Sequence, residues 1–545
     1  MIILDNPEFI RLRRSKLRTG RMILLGSVTA LILGGVLASM YWDTTVVGGW
    51  TAKEMLKYYF FTVAGLQLAV ITLFGLTQAS QNITFEREQH TLDFQRLVAM
   101  GPGRLVLGKL FGGPCEAWWI MLCAIPFAII PVMGLVVPAG IFFQTLMVVF
   151  ILGLSVSSVG LLFSSIMKKT ARSSGAIIFF GFFIFISSGF KTFVFYGTGM
   201  FSTGVSLWEA ISPIGIMTNL SNQIDSSSSA QYVSMFSLDI PVIFVFIGLH
   251  LLVSSLCFVI TVRRLTDEEI SYISPQQAAI VFAIFQILIT STLMNTSAPS
   301  SLSGLGVFHV ANAVLLTALA FGLTPSAELL RGRVHYFKRN EHWKLLFEKP
   351  TRLQDSPAIF SVGSLCLIYV IESFILSFLF YDKGLSGARL AIILMVPTIS
   401  LAVAAMLVYL QAYTDTGGFK AGMIALVIAL IFPPFILAAM NGSWQYSCFV
   451  SPFAYVNEFF MRSGTSPGLS EYKSFGGLVG AIWACPLICA VLAGAFIVLA
   501  AMRIRFLIDM NELSKQREIT DELKTCSLSA NESGPNAGQA SVPRA

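Results

Sequence analysis

Residues 86–109 of this chain read EREQHTLDFQRLVAMGPGRLVLGK and separate two long apolar runs. These runs, Tyr58 to Thr77 and Trp118 to Val136, are close to the length of about 20 residues that a helix needs to cross ~30 Å of hydrocarbon. The stretch between them carries charges at both ends and a Pro-Gly pair that breaks a helix. The alternation of membrane-length runs with polar segments predicts a bundle of membrane-spanning helices.

The composition of the whole chain also indicates a membrane protein. Hydrophobic residues make up 55% of the 545, charged residues only 12%, and the mean hydropathy is +0.75. Soluble domains carry about 25% charged residues, so the composition excludes an ordinary soluble fold. Because the apolar runs have helical length, and helices satisfy their own backbone groups in lipid, the sequence predicts an all-α polytopic membrane protein.

The apolar runs predict about 12 transmembrane helices. The weakest run is Ala278 to Met294, which is short and contains Gln286. The predicted spans are Met22 to Tyr41, Tyr58 to Thr77, Trp118 to Val136, Ile141 to Ile166, Gly175 to Phe195, Ile240 to Val262, Ala278 to Met294, Leu305 to Leu323, Ile359 to Phe380, Leu390 to Leu410, Met423 to Met440 and Phe475 to Met502.

The positions of Lys and Arg predict an N-in and C-in topology. With both ends of the chain in the cytosol, 29 of the 36 Lys and Arg residues fall in cytosolic segments, as the positive-inside rule requires. The net charge of +7 therefore reflects membrane orientation, and we predict no nucleic-acid partner. The first apolar run lacks a small-residue cleavage pattern, so we expect it to stay as a membrane anchor.

The order of spans and loops predicts a 6+6 repeat. Ser212-Pro213 precedes the sixth span and Ser451-Pro452 precedes the twelfth, and each pair is expected to begin a short helix with Ser as the cap. Two units of six spans would have the same orientation in the membrane, because six is an even number. The predicted domains are a cytosolic amphipathic lead-in over 1–21, a first unit over 22–264 with a polar segment at 81–115, a second unit over 265–510 with a polar segment at 324–357, and a polar, mostly disordered tail over 511–545.

The polar segment at 81–115 resembles the coupling segment by which type-2 ABC transporter permeases contact their ATPase partner. The lead-in Asn6 to Phe9, followed by alternating Arg and Leu, is similar to the start of that family, whereas His90 stands where the family commonly has Gly. Glu328 to Glu348 has the place and charge of a second coupling segment but lacks the Thr-Leu and Gly-Lys pattern, so that segment is predicted to be degenerate. The residues that match the family pattern, and to which the resemblance assigns ATPase coupling, are Glu86, Glu88, Thr91, Leu92, Leu97, Pro102, Gly108 and Lys109.

The resemblance implies a specific architecture and partner. Permeases of this family have six helices per unit, a lead-in helix along the inner membrane surface, a coupling helix between spans two and three, and a short outer helical element before span six. They work with separate ABC ATPase subunits, which bind ATP and Mg²⁺. The resemblance therefore implies no cofactor in this chain itself.

The chemistry of the coupling segment allows two interpretations. Thr84 or Thr91 could cap a helix, and Glu86 and Glu88 would then favour its N-terminal turn. A short cytosolic helix with one apolar face could dock into a groove of a soluble partner. Alternatively, such a helix could lie on lipid headgroups without a protein partner. The break at Pro102 favours a helix-turn-helix finger, and with it the docking interpretation.

One stretch imitates a nucleotide-binding loop. Residues 103–109 satisfy G-x-x-x-x-G-K, but Leu110 follows where a P-loop needs Ser or Thr for magnesium, and no buried strand precedes the stretch. We predict no nucleotide site there, no catalytic or metal-binding residues in the chain, and no enzymatic activity of the chain alone. ATP hydrolysis is expected only in a partner subunit.

Ionisable residues inside the predicted spans are the remaining candidates for function. Glu372 lies in the middle of a span, where a charge is costly. It could line a translocation or proton path, or it could be protonated or hydrogen-bonded between helices, for instance to Ser373. His250 and His309 have no neighbouring ligands in the sequence and are expected to make hydrogen bonds between helices.

Three function classes remain open from the sequence. The first is the permease subunit of an ABC transporter, an exporter in the plasma membrane (the bacterial inner membrane), with ATPase subunits, membrane lipid and an unidentified transported substrate as its partners. The second is a twelve-helix secondary transporter. The third is a membrane scaffold or assembly factor that transports nothing.

Overall fold

The structure of the chain is a computed structural model. The chain divides into two compact units. The first unit comprises residues 1–268 and 290–296, and the second comprises 269–289 and 297–545. The described residues are 5–48, 50–92, 95, 100–166, 212–225, 232–235, 238–266, 273–294, 302–324, 358–380, 387–413, 487, 489–510 and 520.

Nearly all of the described residues are helical. In the first unit the helices are α1 (Pro7–Lys16), α2 (Thr19–Trp42), α3 (Ala52–Ala69), α4 (Leu76–Glu88), α5 (Pro102–Gly112), α6 (Cys115–Met133), α7 (Ala139–Ile166), α8 (Pro213–Asp225) and α9 (Val242–Thr266). The helices that follow are α10 (Pro275–Met294), α11 (Leu302–Leu323), α12 (Ala358–Phe380), α13 (Gly387–Tyr413) and α14 (Cys489–Met510).

The chain is a helical membrane protein. Among the described residues, eight helices are long and apolar enough to cross a membrane: α2, the continuous helix α3–α4, α6, α7, α9, α12, α13 and α14. Helix α10 is apolar over a shorter stretch, Pro275–Ser291. The predicted spans Gly175 to Phe195 and Met423 to Met440, the polar segment at 325–357 and most of the tail lie outside the described residues.

The second span is longer than its apolar run predicts. The run ends at Thr77, but the helix continues from Ala52 to Glu88 without a break and includes a π-helical turn at Val70–Gly75. At 1.5 Å per residue these 37 residues extend about 55 Å, well beyond ~30 Å of hydrocarbon. The extra turns remain helical because they bury one face, including Ala79 and Ile83, against the rest of the unit.

Helix α7 is the central helix of the first unit. It packs against α4 and against α9, and both contacts depend on small side chains. A Cβ atom at Gly160 would lie 2.8 Å from the Ala79 Cβ, so only glycine lets these helices approach so closely. On the α9 side, Ser158 and Ser254 share a hydrogen bond of 2.8 Å, and His250 Nδ1 lies 3.2 Å from the Ser155 hydroxyl. The predicted interhelical hydrogen bond of His250 is confirmed.

The segment before the last helix of the first unit contains two small elements. Helix α8 begins at Pro213, and the Ser212 hydroxyl accepts a hydrogen bond from the Gly215 amide at 3.4 Å, which confirms the predicted Ser cap and Pro start. A two-stranded antiparallel hairpin follows, formed by β1 (Tyr232–Met235) and β2 (Leu238–Pro241). The described residues are therefore helical apart from this short hairpin and the connecting turns.

The helices of the second unit are joined by uncharged polar side chains. Gln286 of α10 donates a hydrogen bond to Asn312 of α11, and His309 of α11 shares one with the Tyr369 hydroxyl of α12. All four side chains are buried. The predicted interhelical bond of His309 is confirmed, and its partner is a tyrosine three residues before the half-buried Glu372.

Candidate functional site

The polar segment at 81–115, which the resemblance predicts to be the coupling segment, contains a turn after α4. Helix α4 ends at Glu88, the chain reverses at Gln89 and His90, and residues 91 and 92 are helical again. Helix α5 then begins with Pro102 in its first turn, where a missing amide hydrogen costs nothing. The predicted helix break at Pro102 is confirmed.

His90 occupies a backbone conformation that suits glycine. Its φ angle is +56°, in the left-handed region, which costs an ordinary residue about 1–2 kcal/mol. Its amide donates to the Arg87 carbonyl at 3.1 Å and closes the turn after α4. Glycine would adopt this conformation without strain, so the geometry explains why a related sequence would place Gly at this position.

A cluster of four charged side chains, three of them buried, lies at the base of the turn. Lys109 of α5 is fully buried, and its Nζ donates to Glu8 Oε1 at 2.8 Å and to Glu86 Oε2. Arg11 of α1 donates to both carboxylates as well, with Nη2 lying 2.8 Å from Glu8 Oε1. These four residues, Glu8, Arg11, Glu86 and Lys109, form the ion cluster, which ties together α1, α4 and α5.

The ion cluster is electrically balanced, because two carboxylates face two cations. Glu8 and Glu86 are 4% and 5% exposed, whereas Arg11 reaches the surface and is half exposed. Burial alone would raise the pKa of Glu8, but the neighbouring Arg11 and Lys109 lower it by more. The pKa of Glu8 therefore lies below its ordinary value of 4.5. Burial likewise lowers the pKa of Arg11, and its bonds to Glu8 and Glu86 outweigh that effect and raise it.

The lead-in helix α1 is held against α5 along its whole length. Asn6 caps α1 by accepting the Glu8 amide at 3.0 Å, and its own amide donates to the Arg104 carbonyl at 2.6 Å. At the other end of α1, Lys16 Nζ donates to the Gly113 carbonyl at 2.6 Å. The two helices therefore run side by side in the same direction.

Glycine at position 108 permits this close approach. A Cβ atom at Gly108 would lie 2.6 Å from Asn6 Oδ1 and 2.7 Å from the Glu8 Cβ. Gly112 faces Leu12 in the same way, with an added Cβ 2.9 Å from the Leu12 Cβ. The Gly-Lys pair of the family pattern thus has a local reason, since Gly108 admits α1 and Lys109 binds it.

A second polar layer lies closer to the apolar part of the helices. Glu116, in the first turn of α6, accepts from Arg21 at 3.0 Å and from Gln78 at 2.6 Å. Gln78 precedes Glu86 by eight residues on one continuous helix, so the two layers are separated by about 12 Å along the helix axis. The ion cluster therefore lies well beyond the point where the apolar surface of the second span ends.

The tip of the turn is exposed. Glu88, Gln89, His90 and Thr91 are all exposed, and so is Pro102 at the start of α5. Leu92 is instead buried in an apolar cluster with residues of α4 and α5. The segment thus presents a polar tip on an apolar and ionic base.

The structure sorts the predicted coupling residues into two groups. Glu86, Gly108 and Lys109 come together in the buried base, Leu92 packs beside it, and Leu97 lies outside the described residues. The residues at the exposed surface are Glu88, Thr91 and Pro102.

Two predicted local roles were wrong, and two residues were missed. Glu86 and Glu88 lie at the C-terminal end of α4 and not in the N-terminal turn of a helix. Thr84 does not cap a helix, because it lies inside α4 and its hydroxyl donates to the Ser80 carbonyl. Neither Glu8 nor Arg11 was assigned a role in the site from the sequence. The detectable signal was Glu8, one acidic side chain in the first turn of a helix that is otherwise basic.

The site is not arranged to hold a metal ion within the part of the chain that the structure describes. No group of three or more His, Cys, Asp and Glu side chains there is arranged to hold a metal ion. The arrangement can instead hold three helices at a fixed spacing and present a polar tip. Comparisons with protein-family models, with curated proteins and with solved structures gave no match.

Proposed function

We propose that this chain is the membrane subunit of a type-2 ABC transporter, an exporter of the plasma membrane that is energised by separate ATPase subunits. The exposed tip of the coupling segment, carrying Glu88, Thr91 and Pro102, is the surface that contacts the ATPase. The buried ion cluster fixes that tip to the spans. Movement of the ATPase is then transmitted to α4 and α5, which lead directly into spans two and three.

The observation that carries the proposal is the rigid base under an exposed turn. Three helices meet at the ion cluster, so the residues from which the tip projects are linked to α1, α4 and α5 together. A turn that merely connected two spans would need none of these buried charges, since burying ions is costly unless they are paired. The glycine-dependent packing at Gly108 adds a second restraint at the same place.

Site-specific photo-crosslinking tests the proposal in the native membrane. A crosslinking amino acid is placed at Glu88 or Thr91, with Lys53 as the control, because Lys53 is exposed at the opposite end of the same helix about 50 Å away. We expect adducts from positions 88 and 91 with a protein whose sequence carries a P-loop, and none from position 53. Adducts only with lipid at the tip would support an interfacial helix instead and would refute the docking role.

A secondary transporter is a second candidate because of the polar side chains in the second unit. Gln286, Asn312, His309 and Tyr369 are buried in apolar helices, and such residues often mark transport paths. Tyr369 lies three residues before Glu372 on the same helix. Their mutual hydrogen bonds also account for them as links between helices. Transport by the purified chain in liposomes, driven by a proton gradient without ATP or an ATPase, would favour this candidate.

A further inference from the structure

The last turn of the lead-in helix carries basic side chains that the ion cluster leaves unused. Arg13 and Arg14 are exposed near the end of α1, and exposed Arg18 follows before α2 begins. These three residues form the basic face. Within the part of the chain that the structure describes, none of them has an ion pair, and the contact that Arg13 makes is with the Phe9 ring at 5.9 Å.

The other two arginines of the lead-in are already paired with carboxylates. Arg11 is bound by both carboxylates of the ion cluster, and Arg21 is paired with Glu116 at 3.0 Å. Asp5 is exposed, but it lies before the first turn of α1, at the end opposite Arg13. The basic face therefore has no acidic partner among the described residues, and an anionic partner from outside them would complement its positive charge.

The depth of the basic face is fixed by the starts of two membrane spans. Arg18 is followed directly by Thr19, the first residue of α2, and Lys16 is bonded to Gly113, two residues before α6 begins. Half-buried Trp119 of α6 donates to the Met22 carbonyl of α2 at 3.1 Å, and tryptophan is typical of the interface between membrane and water. The basic face thus lies where the apolar surfaces of two spans begin, which is the level of the lipid headgroups.

The shape of α1 suits a lipid partner. Phe9, Ile10 and Leu17 are half exposed on the same helix that carries the arginines, as in helices that rest at the edge of the acyl chains. Beside them is a shallow, open groove of about 590 Å³, large enough for a small headgroup. The groove is lined by Pro7, Ile10, Arg11, Arg14 and Ser15.

The geometry points to a binding site for the headgroup of an anionic phospholipid on α1, with Arg13, Arg14 and Arg18 facing the lipid phosphate. Arginine pairs well with phosphate because its planar guanidinium donates two parallel hydrogen bonds. A soluble acidic protein is the less suitable occupant, because the basic face lies close to the starts of two spans. Two residues connect α1 to α2, and Lys16 at the end of α1 is hydrogen-bonded to Gly113, two residues before α6. The inference goes beyond the transport role and does not depend on an ATPase.

Native mass spectrometry of the purified full chain in detergent tests the site, with phosphatidylglycerol and phosphatidylcholine as probes. We expect the chain to retain phosphatidylglycerol in preference to phosphatidylcholine. The double variant R13Q/R14Q should bind phosphatidylglycerol about 25-fold more weakly, since each arginine near a membrane surface contributes a factor of about five. The matched variant R104Q/R505Q removes the same charge from exposed positions elsewhere and should bind as the unmodified chain does.

Three results would overturn the inference. The first is equal retention of phosphatidylglycerol by R13Q/R14Q and the unmodified chain, and the second is an equal loss in R104Q/R505Q. The third is displacement of the lipid by excess inorganic phosphate, which would indicate a site for free phosphate. Unchanged hydrogen exchange over residues 7–16 controls for the folding of α1. If R13Q/R14Q does not fold, the single variant R14Q and the conservative R13K/R14K give the same comparison, with loss expected in the first and retention in the second.

Discussion

The ion cluster of the first unit and the polar contacts of the second unit both join helices through polar side chains, but they do so with different chemistry. At the cluster, full charges on Glu8, Glu86 and Lys109 join helices beyond the end of the apolar surface. In the second unit, the contact between His309 and Tyr369 joins helices of membrane length with groups that carry no permanent charge. Both sets are buried and both link residues far apart in the sequence.

The difference follows from what each environment can compensate. Burying a charge in the hydrocarbon costs free energy even when the charge is paired, so neutral amides, imidazole and hydroxyls link spans at a lower free-energy cost. Beyond the hydrocarbon the penalty is smaller, and an ion cluster gives a stronger and more directional link, because losing one member strands the others. We infer that the base of the coupling segment is built to be rigid, whereas the second unit needs only modest links.

The largest effect is expected from Lys109→Met. The substitution leaves the two buried carboxylates of Glu8 and Glu86 with Arg11 as their one remaining cation in the ion cluster, and breaking a buried ion pair in this way costs about 3–5 kcal/mol. Unfolding in mixed micelles should show a loss of this size in the free energy of unfolding. Arg104→Met on the same helix is the control, because Arg104 is exposed and only its carbonyl bonds to Asn6. Unchanged stability in Lys109→Met would show that the cluster restrains nothing.

Gly108→Ala should have the next largest effect. The added methyl group would overlap Asn6 Oδ1 and the Glu8 Cβ, and overpacking of this kind costs about 1–3 kcal/mol. Hydrogen exchange over α1 should rise as the helix separates from α5. Gly103→Ala, in the same helix but with open space around an added Cβ, should show no such rise. Equal exchange in both variants would contradict the close packing of α1.

Acidification should weaken the ion cluster through Glu8. Its pKa is lower in the folded chain than the ordinary value of 4.5, so the stability it contributes is complete above that value and is lost as the pH falls through the lower folded pKa. The protection of the α1 amides against hydrogen exchange should therefore decrease below about pH 4.5 in the unmodified chain. Glu8→Gln should exchange faster at neutral pH and depend less on pH. Identical pH profiles for the two proteins would exclude Glu8 as the titrating group.

His90→Gly should stabilise the turn. Glycine relieves the strain of the left-handed conformation at φ +56°, which should raise the free energy of unfolding by about 1 kcal/mol. The conformational entropy that glycine loses on folding reduces this gain. The matched control is Gln89→Gly, because Gln89 has an ordinary φ of −89° and should gain nothing. The free energy of unfolding in mixed micelles separates the two. A loss of stability in His90→Gly would mean that the imidazole makes a contact worth more than the strain.

The smallest effect is expected in the second unit. Tyr369→Phe removes the hydroxyl that bonds to His309, and hydrogen bonds between membrane helices average about 0.6 kcal/mol. The double-mutant cycle with His309→Phe measures the coupling between the two side chains directly. A coupling energy as large as the loss in Lys109→Met would remove the contrast between the charged and the neutral links.

The sequence predicted some parts of this arrangement because they are local. Glu86 and Lys109 were singled out together, since both belong to one polar segment between two apolar runs. The contact of Glu8 with Lys109 joins residues 101 positions apart, and no periodicity in the chain indicates such a pair. The end of the second span was missed for a related reason, because residues beyond Thr77 are polar in composition but bury a face that only the packed structure defines.

The composition of the native complex tests the central claim most directly. The chain is extracted in mild detergent through an affinity tag, and the intact complex is weighed by native mass spectrometry. We predict two copies of a P-loop ATPase in the complex, lost when the exposed pair Glu88 and Thr91 is replaced by alanine but retained in the control Lys53→Ala. A complex that contains no P-loop subunit, or one whose ATPase content is unaffected by the change at the tip, would contradict the account.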